Sequence, residues 1–258
     1  MFSCLIFSFS MVLFLSACTE KTVSADDDNN PGENGTTFGG DSMNPAAHDL
    51  RSGDFIFDFW ADDEPDDFFP ANMIFQQSDM DDPMLDDEMT EPYNIPHDDY
   101  NSDDEDTIGY PYNNTRRTRI NGLNEQGIAF INTGRGRDLG TAVVGLQTLG
   151  MHDITVQFLA GTRIPNSRVY NLRLQYRIGT SGSFTDVIHN GEAVEYRRND
   201  QENHTEQFGP IPLPEAVNDR EYVQIRWKYY FTGERISDDS GARTKIRLDN
   251  IRISGTEI

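Results

Sequence analysis

Residues 221–231, EYVQIRWKYYF, decide the fold. Val223, Ile225, Trp227, Tyr229 and Phe231 take one side of an extended backbone; Gln224, Arg226, Lys228 and Tyr230 take the other. A period of two in aromatic and β-branched residues predicts a strand with one buried and one wet face. A helix would scatter the same apolar residues around its axis. Downstream, residues 243–254 read RTKIRLDNIRIS. Ile246 and Leu248 share one phase while Ile251 and Ile253 share the other, which needs one extra residue and predicts a β-bulge or bend at Asp249-Asn250. Upstream, Ile154, Val156 and Phe158 alternate with Thr155 and Gln157. The longest ladder is Tyr170, Leu172, Leu174, Tyr176 and Ile178, backed by Asn171, Arg173, Gln175 and Arg177.

Strands are predicted over 117–121, 127–132, 141–147, 153–160, 168–178, 183–189, 193–197, 205–209, 221–231 and 243–254, with shorter candidates in 54–60 and 72–76. Turn signals separate them: Asn121-Gly122, 134–136, Gly150-Met151, Gly161-Thr162, 179–182, Asn190-Gly191 and 210–214. Asn190-Gly191 is a two-residue hairpin signal, because both positions of a type I′ turn need positive φ. Short strands between turns, with no amphipathic helix of any length, predict an all-β, two-sheet β-sandwich of jelly-roll type.

Charge is unevenly placed along the 258 residues. Residues 1–110 hold 2 of the 21 bases (Lys21 and Arg51) and 27 of the 44 acids, net −25. Residues 111–258 hold the remaining 19 bases and 17 acids, net +2. The acidic front argues against a nucleic-acid partner and can attract divalent cations. Residues 18–51 are rich in Asp, Asn, Gly, Ser and Thr and bury too little apolar surface to offset ordering entropy, so they are expected to form a disordered acidic tether. The domain is expected over 52–258. Within it, 79–106 concentrates Asp and Glu and is broken by Pro83, Pro92 and Pro96; Met80, Met84, Leu85 and Tyr93 among the acids point to a long loop lying on the sandwich.

Residues 1–17 form an apolar run too short to span a membrane comfortably and are placed like a secretory signal. The run ends Leu15-Ser16-Ala17-Cys18, which resembles the lipobox of bacterial lipoproteins. The resemblance implies that Cys18 is acylated and becomes the mature N-terminus. No Lys or Arg precedes the run, a departure from the family's pattern. Ser24-Ala25-Asp26-Asp27-Asp28 resembles the export signal of surface-exposed Gram-negative outer-membrane lipoproteins, although a solvated acidic linker would read the same way. Together these imply an outer-membrane address, lipid-anchored and exposed on the surface. Cys4 leaves with the signal and Cys18 carries lipid, so no thiol remains for a disulfide.

From about Asp54 onward the chain resembles jelly-roll modules of the MAM, laminin-G-like and carbohydrate-binding kind. The matching residues are Gly127-Ile128-Ala129-Phe130-Ile131, Ile154-Thr155-Val156-Gln157-Phe158, Leu172-Arg173-Leu174-Gln175-Tyr176-Arg177, Gly182-Ser183-Phe184-Thr185-Asp186-Val187 and the closing strand Ile246–Ile253. A pattern of strands specifies fold better than function. Such modules commonly hold a structural calcium where the last strand meets an N-terminal loop. The resemblance places Asp249 there, with Asp54, Asp58, Asp104 and Asp106 as candidates to complete the six to eight oxygens that Ca²⁺ takes. A bulge carboxylate accepting backbone hydrogen bonds explains Asp249 equally well.

The wet faces supply the candidate ligand site: Arg173, Gln175, Arg177, Gln224, Arg226, Lys228 and Tyr230, planar or hydrogen-bonding side chains that suit polyols or uronic acids. A solvated sheet face laced with cross-strand ion pairs is the competing account. Enzyme signatures are absent: His48, His97, His152, His189 and His204 are scattered without zinc spacing, and no Gly-x-Ser-x-Gly occurs. The expectation is a non-catalytic, lipid-anchored binding module for extracellular glycan or another cell-surface polymer, with a structural calcium. The alternatives are an adhesive envelope protein that binds another protein and, further off, a hydrolase.

Overall fold

The computed structural model describes residues 44–64, 68–77, 91–92, 118–132, 139–237 and 242–258. The signal and residues 18–43 of the tether, the 79–106 loop (apart from the backbone of 91–92), the turn at 134–136, and Cys18, Asp104 and Asp106 lie outside these residues. In chain order the strands are β1 (Ala47–Asp49), β2 (Phe55–Phe57), β3 (Met73–Gln77), β4 (Glu91–Pro92), β5 (Thr118–Gly122), β6 (Ile128–Asn132), β7 (Leu139–Gln147) and β8 (Met151–Ile164). They continue as β9 (Arg168–Ile178), β10 (Thr185–Asp186), β11 (Ile188–His189), β12 (Glu192–Ala193), β13 (Glu195–Tyr196), β14 (His204–Pro212), β15 (Val223–Arg235) and β16 (Lys245–Glu257).

The protein is an all-β, two-sheet sandwich. One sheet runs β10-β9-β15-β7-β3-β4, with β1 parallel to β7 and β13 beside β9. The other runs β14-β8-β16-β6-β5, with β2 beside β16. From β7 onward the long strands alternate between the sheets, so each layer is built of segments far apart in sequence. The inward phases are those the alternation predicts. Val223, Ile225, Trp227 and Tyr229 face Ile154, Val156, Phe158 and Ile246 across a closed apolar core. Trp227 meets Phe158 edge-on at 5.7 Å, and Tyr229 stacks on both Tyr170 and Phe130.

The change of phase in β16 is resolved as expected. Asp249 pairs with Leu159 and Arg252 with Gln157, three residues on one strand against two on the other. Asn250 takes a positive φ of 48°. Ile246, Leu248, Ile251 and Ile253 are all completely buried as a result. Asn190 and Gly191, with φ of 52° and 85°, turn the β11–β12 hairpin.

Five local expectations are corrected. Order begins before Ser52: β1 already pairs with β7, and Leu50 is buried. Ile178 ends its ladder exposed, although its register partner Val223 is completely buried. The 183–189 strand is two short ones, β10 and β11, separated by the buried Val187, whose amide donates to the Leu174 carbonyl. Gly161 is not a turn but lies inside β8, towards its end. A Cβ at Gly161 would stand 2.4 Å from the His204 carbonyl oxygen, so the glycine marks close backbone approach. Finally β14 continues through Pro210 to Pro212, with a bulge between Phe208 and Ile211 and a cis Gly209-Pro210 peptide. The prolines are tolerated because β14 is an edge strand.

Candidate functional site

Register places the seven predicted ligand residues side by side. On adjacent strands, Gln224 pairs with Arg177, Arg226 with Gln175, Lys228 with Arg173 and Tyr230 with Asn171. Period-two alternation turns every one of them to the outer face of the first sheet. That face is not open. Phe184, just before β10, covers two guanidinium groups, with its ring centre 3.8 Å from Arg226 and 4.4 Å from Arg177. Asn44 closes the Gln224 end, where its Oδ1 accepts from Gln224 Nε2 at 2.7 Å. Gln224 and Arg226 are therefore buried, and Arg173, Arg177 and Lys228 are half-buried.

Beneath the covered part the polar atoms bond to one another. Arg226 Nε donates to Gln175 Oε1 at 2.9 Å, and Gln175 Nε2 donates to Asp186 at 2.8 Å. Arg177 donates to Gln224 Oε1 and to the Gly182 carbonyl. Burial lowers the pKa of the Arg177 guanidinium below its ordinary value.

At the other end of the row, Glu195 on β13 is the hub. Its side chain is only 6% exposed and accepts from Arg173, Asn171 and Tyr230. Arg173 also bonds Asp186 at 3.2 Å and the Tyr230 hydroxyl at 2.8 Å. Burial works against the Arg173 charge, but Glu195 outweighs it and raises the guanidinium pKa. Burial, reinforced by the Glu195 carboxylate, pushes the Tyr230 phenol strongly up, so it stays a hydrogen-bond donor.

Glu195 also lines a cleft of 570 Å³ at the edge of the sandwich, where β13 of one sheet approaches β14 of the other. Its walls include His189, Glu192, Gln207, Phe208 and Pro210. Phe208 stacks on the core residue Phe158 at 4.7 Å, which holds that wall in place. Sequence reasoning missed Phe184, Asp186, Glu195 and the β14 wall. The signal available for Glu195 was an acid set between the apolar Val194 and Tyr196 on a strand, since a buried carboxylate needs partners.

Of the metal candidates, Asp54, Asp58 and Asp249 lie among the described residues, and these three do not gather with one another. Asp54 pairs with Arg252 at 2.6 Å, next to Phe55, which lies opposite Ile253. Asp58 is exposed. Asp249 is buried: Oδ2 accepts from Arg247, and Oδ1 has no partner. Among the described residues no three His, Cys, Asp or Glu side chains gather as a metal site.

Among the described residues these features amount to a β-sandwich with a cross-linked polar sheet face that runs into an edge cleft. No known protein family matches the chain by sequence, and no curated protein does either. Among solved structures it is similar to the xylan-binding module CBM15, with 11% identity over 56% of this chain and 89% of that one and a TM-score of 0.33. It is similar to TmCBM61, solved with β-1,4-galactotriose, with 11% identity over 50% of this chain and a TM-score of 0.27; the chain spans 65% of that module. Xylanase10C of Cellvibrio japonicus, solved with xylopentaose, matches with 12% identity over 56% of this chain and 26% of its own length, at a TM-score of 0.33. Likeness at this level carries no argument about ligand.

Proposed function

We propose that the chain is a binding module for extracellular glycan or another hydroxyl-rich cell-surface polymer, seated at the Glu195 end of the polar face and in the edge cleft. The supporting observation is the fixed array of Arg173, Tyr230, Glu195 and Asp186 beside a 570 Å³ cleft walled by Phe208 and Pro210. Sugars present hydroxyls that both donate and accept, along with apolar C–H faces. A concave site with a few convergent polar groups and an aromatic wall matches that chemistry. Binding rather than hydrolysis is proposed because Asp186 and Glu195 are both engaged by Arg173.

Arg173→Ala is expected to weaken polysaccharide binding on a glycan array by about tenfold, the loss of one charge-assisted hydrogen bond. Absence of wild-type binding to any polysaccharide would overturn the reading. Arg226→Ala would act through the covered network rather than by direct contact.

One observation favours the adhesive reading: Ile56, Phe59 and Phe68 are about half exposed or more in one N-terminal stretch. Selective capture of a protein partner, abolished by Ile56→Asp and Phe59→Asp but not by Arg173→Ala, would establish it.

The address and the ion belong to the same proposal. Acylation of Cys18 after removal of residues 1–17 would fix the module to the outer membrane through the acidic tether. Mass spectrometry should find an acylated N-terminal cysteine; an unmodified one rules the anchor out. A structural Ca²⁺ at Asp249 has one observation in its favour, the buried and unpartnered Oδ1. Arg247 on Oδ2 counts against it. EDTA should lower the melting temperature and excess Ca²⁺ restore it; an unchanged melting temperature excludes the ion.

A further inference from the structure

We infer that the edge cleft takes an uncharged glycan and turns away an acidic one, and that Glu192 sets this preference. The inference rests on the reading of the cleft as a glycan site and narrows it. Of the polyols and uronic acids that a row of arginines suits, only the polyols fit.

The arginines near the cleft are already matched by acids or covered. Arg173 is paired with Glu195 and Asp186, and Arg197 reaches Glu195 at 3.6 Å, so two guanidinium groups face two carboxylates. Phe184 lies over Arg177 and Arg226. No Lys or Arg is among the residues that line the cleft, whose ionisable groups are His189, Glu192 and Glu195.

Glu192 is the carboxylate left over. It follows the Asn190-Gly191 turn, stands opposite His189 across the hairpin, is exposed, and pairs with no cation among the described residues. Gln207, on the β14 wall, adds an acceptor. Its amide nitrogen gives its two hydrogens to main-chain oxygens, of Phe158 at 3.0 Å and of Phe208 at 3.3 Å, which leaves Oε1 for a ligand. A sugar hydroxyl can donate to both groups. The carboxylate of a uronate has no proton to donate, and it would set a second negative charge beside Glu192.

The apolar wall makes no such choice. Gly209 has a φ of 96°, and a Cβ there would stand 2.5 Å from the Val156 carbonyl oxygen, so the backbone between Phe208 and Pro210 lies hard against β8. That wall meets the C–H faces that neutral and acidic sugars share. Discrimination therefore falls to Glu192 and Gln207.

The test is affinity electrophoresis of the full chain in mildly alkaline buffer, where histidine side chains add no charge. The probes are matched soluble polymers: mannan with polymannuronate, methyl-esterified with de-esterified polygalacturonate, and hydroxyethylcellulose with carboxymethylcellulose. Retention by the uncharged member of a pair is expected to be at least about tenfold stronger than by its acidic partner, and Glu192→Gln is expected to cut that gap to about threefold. Thermal unfolding checks that the variant folds. A gap left unchanged by Glu192→Gln would be general repulsion by a chain of net charge −23. Equal or stronger retention by the acidic member would mean that the arginines govern the site. Either result overturns the inference and leaves the glycan reading standing, whereas retention by none of the polymers overturns both.

Discussion

Trp227→Ala is expected to lower the free energy of unfolding by about 3–5 kcal/mol, the usual cost of emptying a large aromatic site in a packed core. Trp227 is wholly buried, flanked in its sheet by Leu174 and Ala142 and touched edge-on from the other sheet by Phe158. Its neighbours sit on strands fixed by hydrogen bonding on both sides, so the void cannot close by collapse. Trp227→Phe should cost much less. The indole Nε1 has no hydrogen-bond partner, so the native residue already carries the penalty of a buried unpaired donor, and phenylalanine removes it. Denaturant titration of the two variants gives the comparison. Equal losses would mean that the indole nitrogen is satisfied and the packing account is wrong.

Glu195→Ala is expected to cost about 3 kcal/mol and to abolish binding at the polar face. The carboxylate satisfies Asn171, Arg173 and Tyr230 at once, and its loss strands donors on residues that are mostly covered. The penalty stays below that of a fully buried ion pair because Arg173 is about one-third exposed and water can reach it. Glu195→Gln keeps an acceptor oxygen in place and should cost less. A second readout separates this account from simple cavity formation. The Tyr230 phenol is held up first by burial and then by the Glu195 carboxylate, so in the folded variant its alkaline titration should move down toward the ordinary tyrosine range. An unmoved titration would show that Glu195 does not govern the site.

Much of the sandwich was legible in the chain because sheet faces obey a period of two. Residues 221–231 and 168–178 announce which side chains point inward, and one extra residue at Asp249-Asn250 announces the bulge. The same rule brought Arg173, Gln175 and Arg177 beside Gln224, Arg226, Lys228 and Tyr230. What period two does not carry is what lies on top of a face. Phe184 over Arg226, Asn44 against Gln224 and Glu195 beside Arg173 come from segments outside the two paired strands, and none of them has a local signature of that contact. The edge cleft falls in the same class: β13 and β14 are consecutive in the chain but belong to different sheets, and period two does not say that their edges meet. Gly161 shows a related limit: alone in a strand pattern a glycine reads as a turn, and only the nearness of the His204 carbonyl explains it as an interior residue.

The prolines of β14 bear on how these molecules behave in a crowd. The Leu213 amide donates inward to the Ile154 carbonyl, so alternation along an antiparallel ladder turns the backbone of Pro212 away from β8, toward the flank on which no described strand pairs with β14. Proline has no amide hydrogen to give, and Pro210 beside it disrupts the line further. A strand from another copy meeting that flank would find its carbonyls unanswered there. Many copies can therefore sit close together without zipping into fibres along this side.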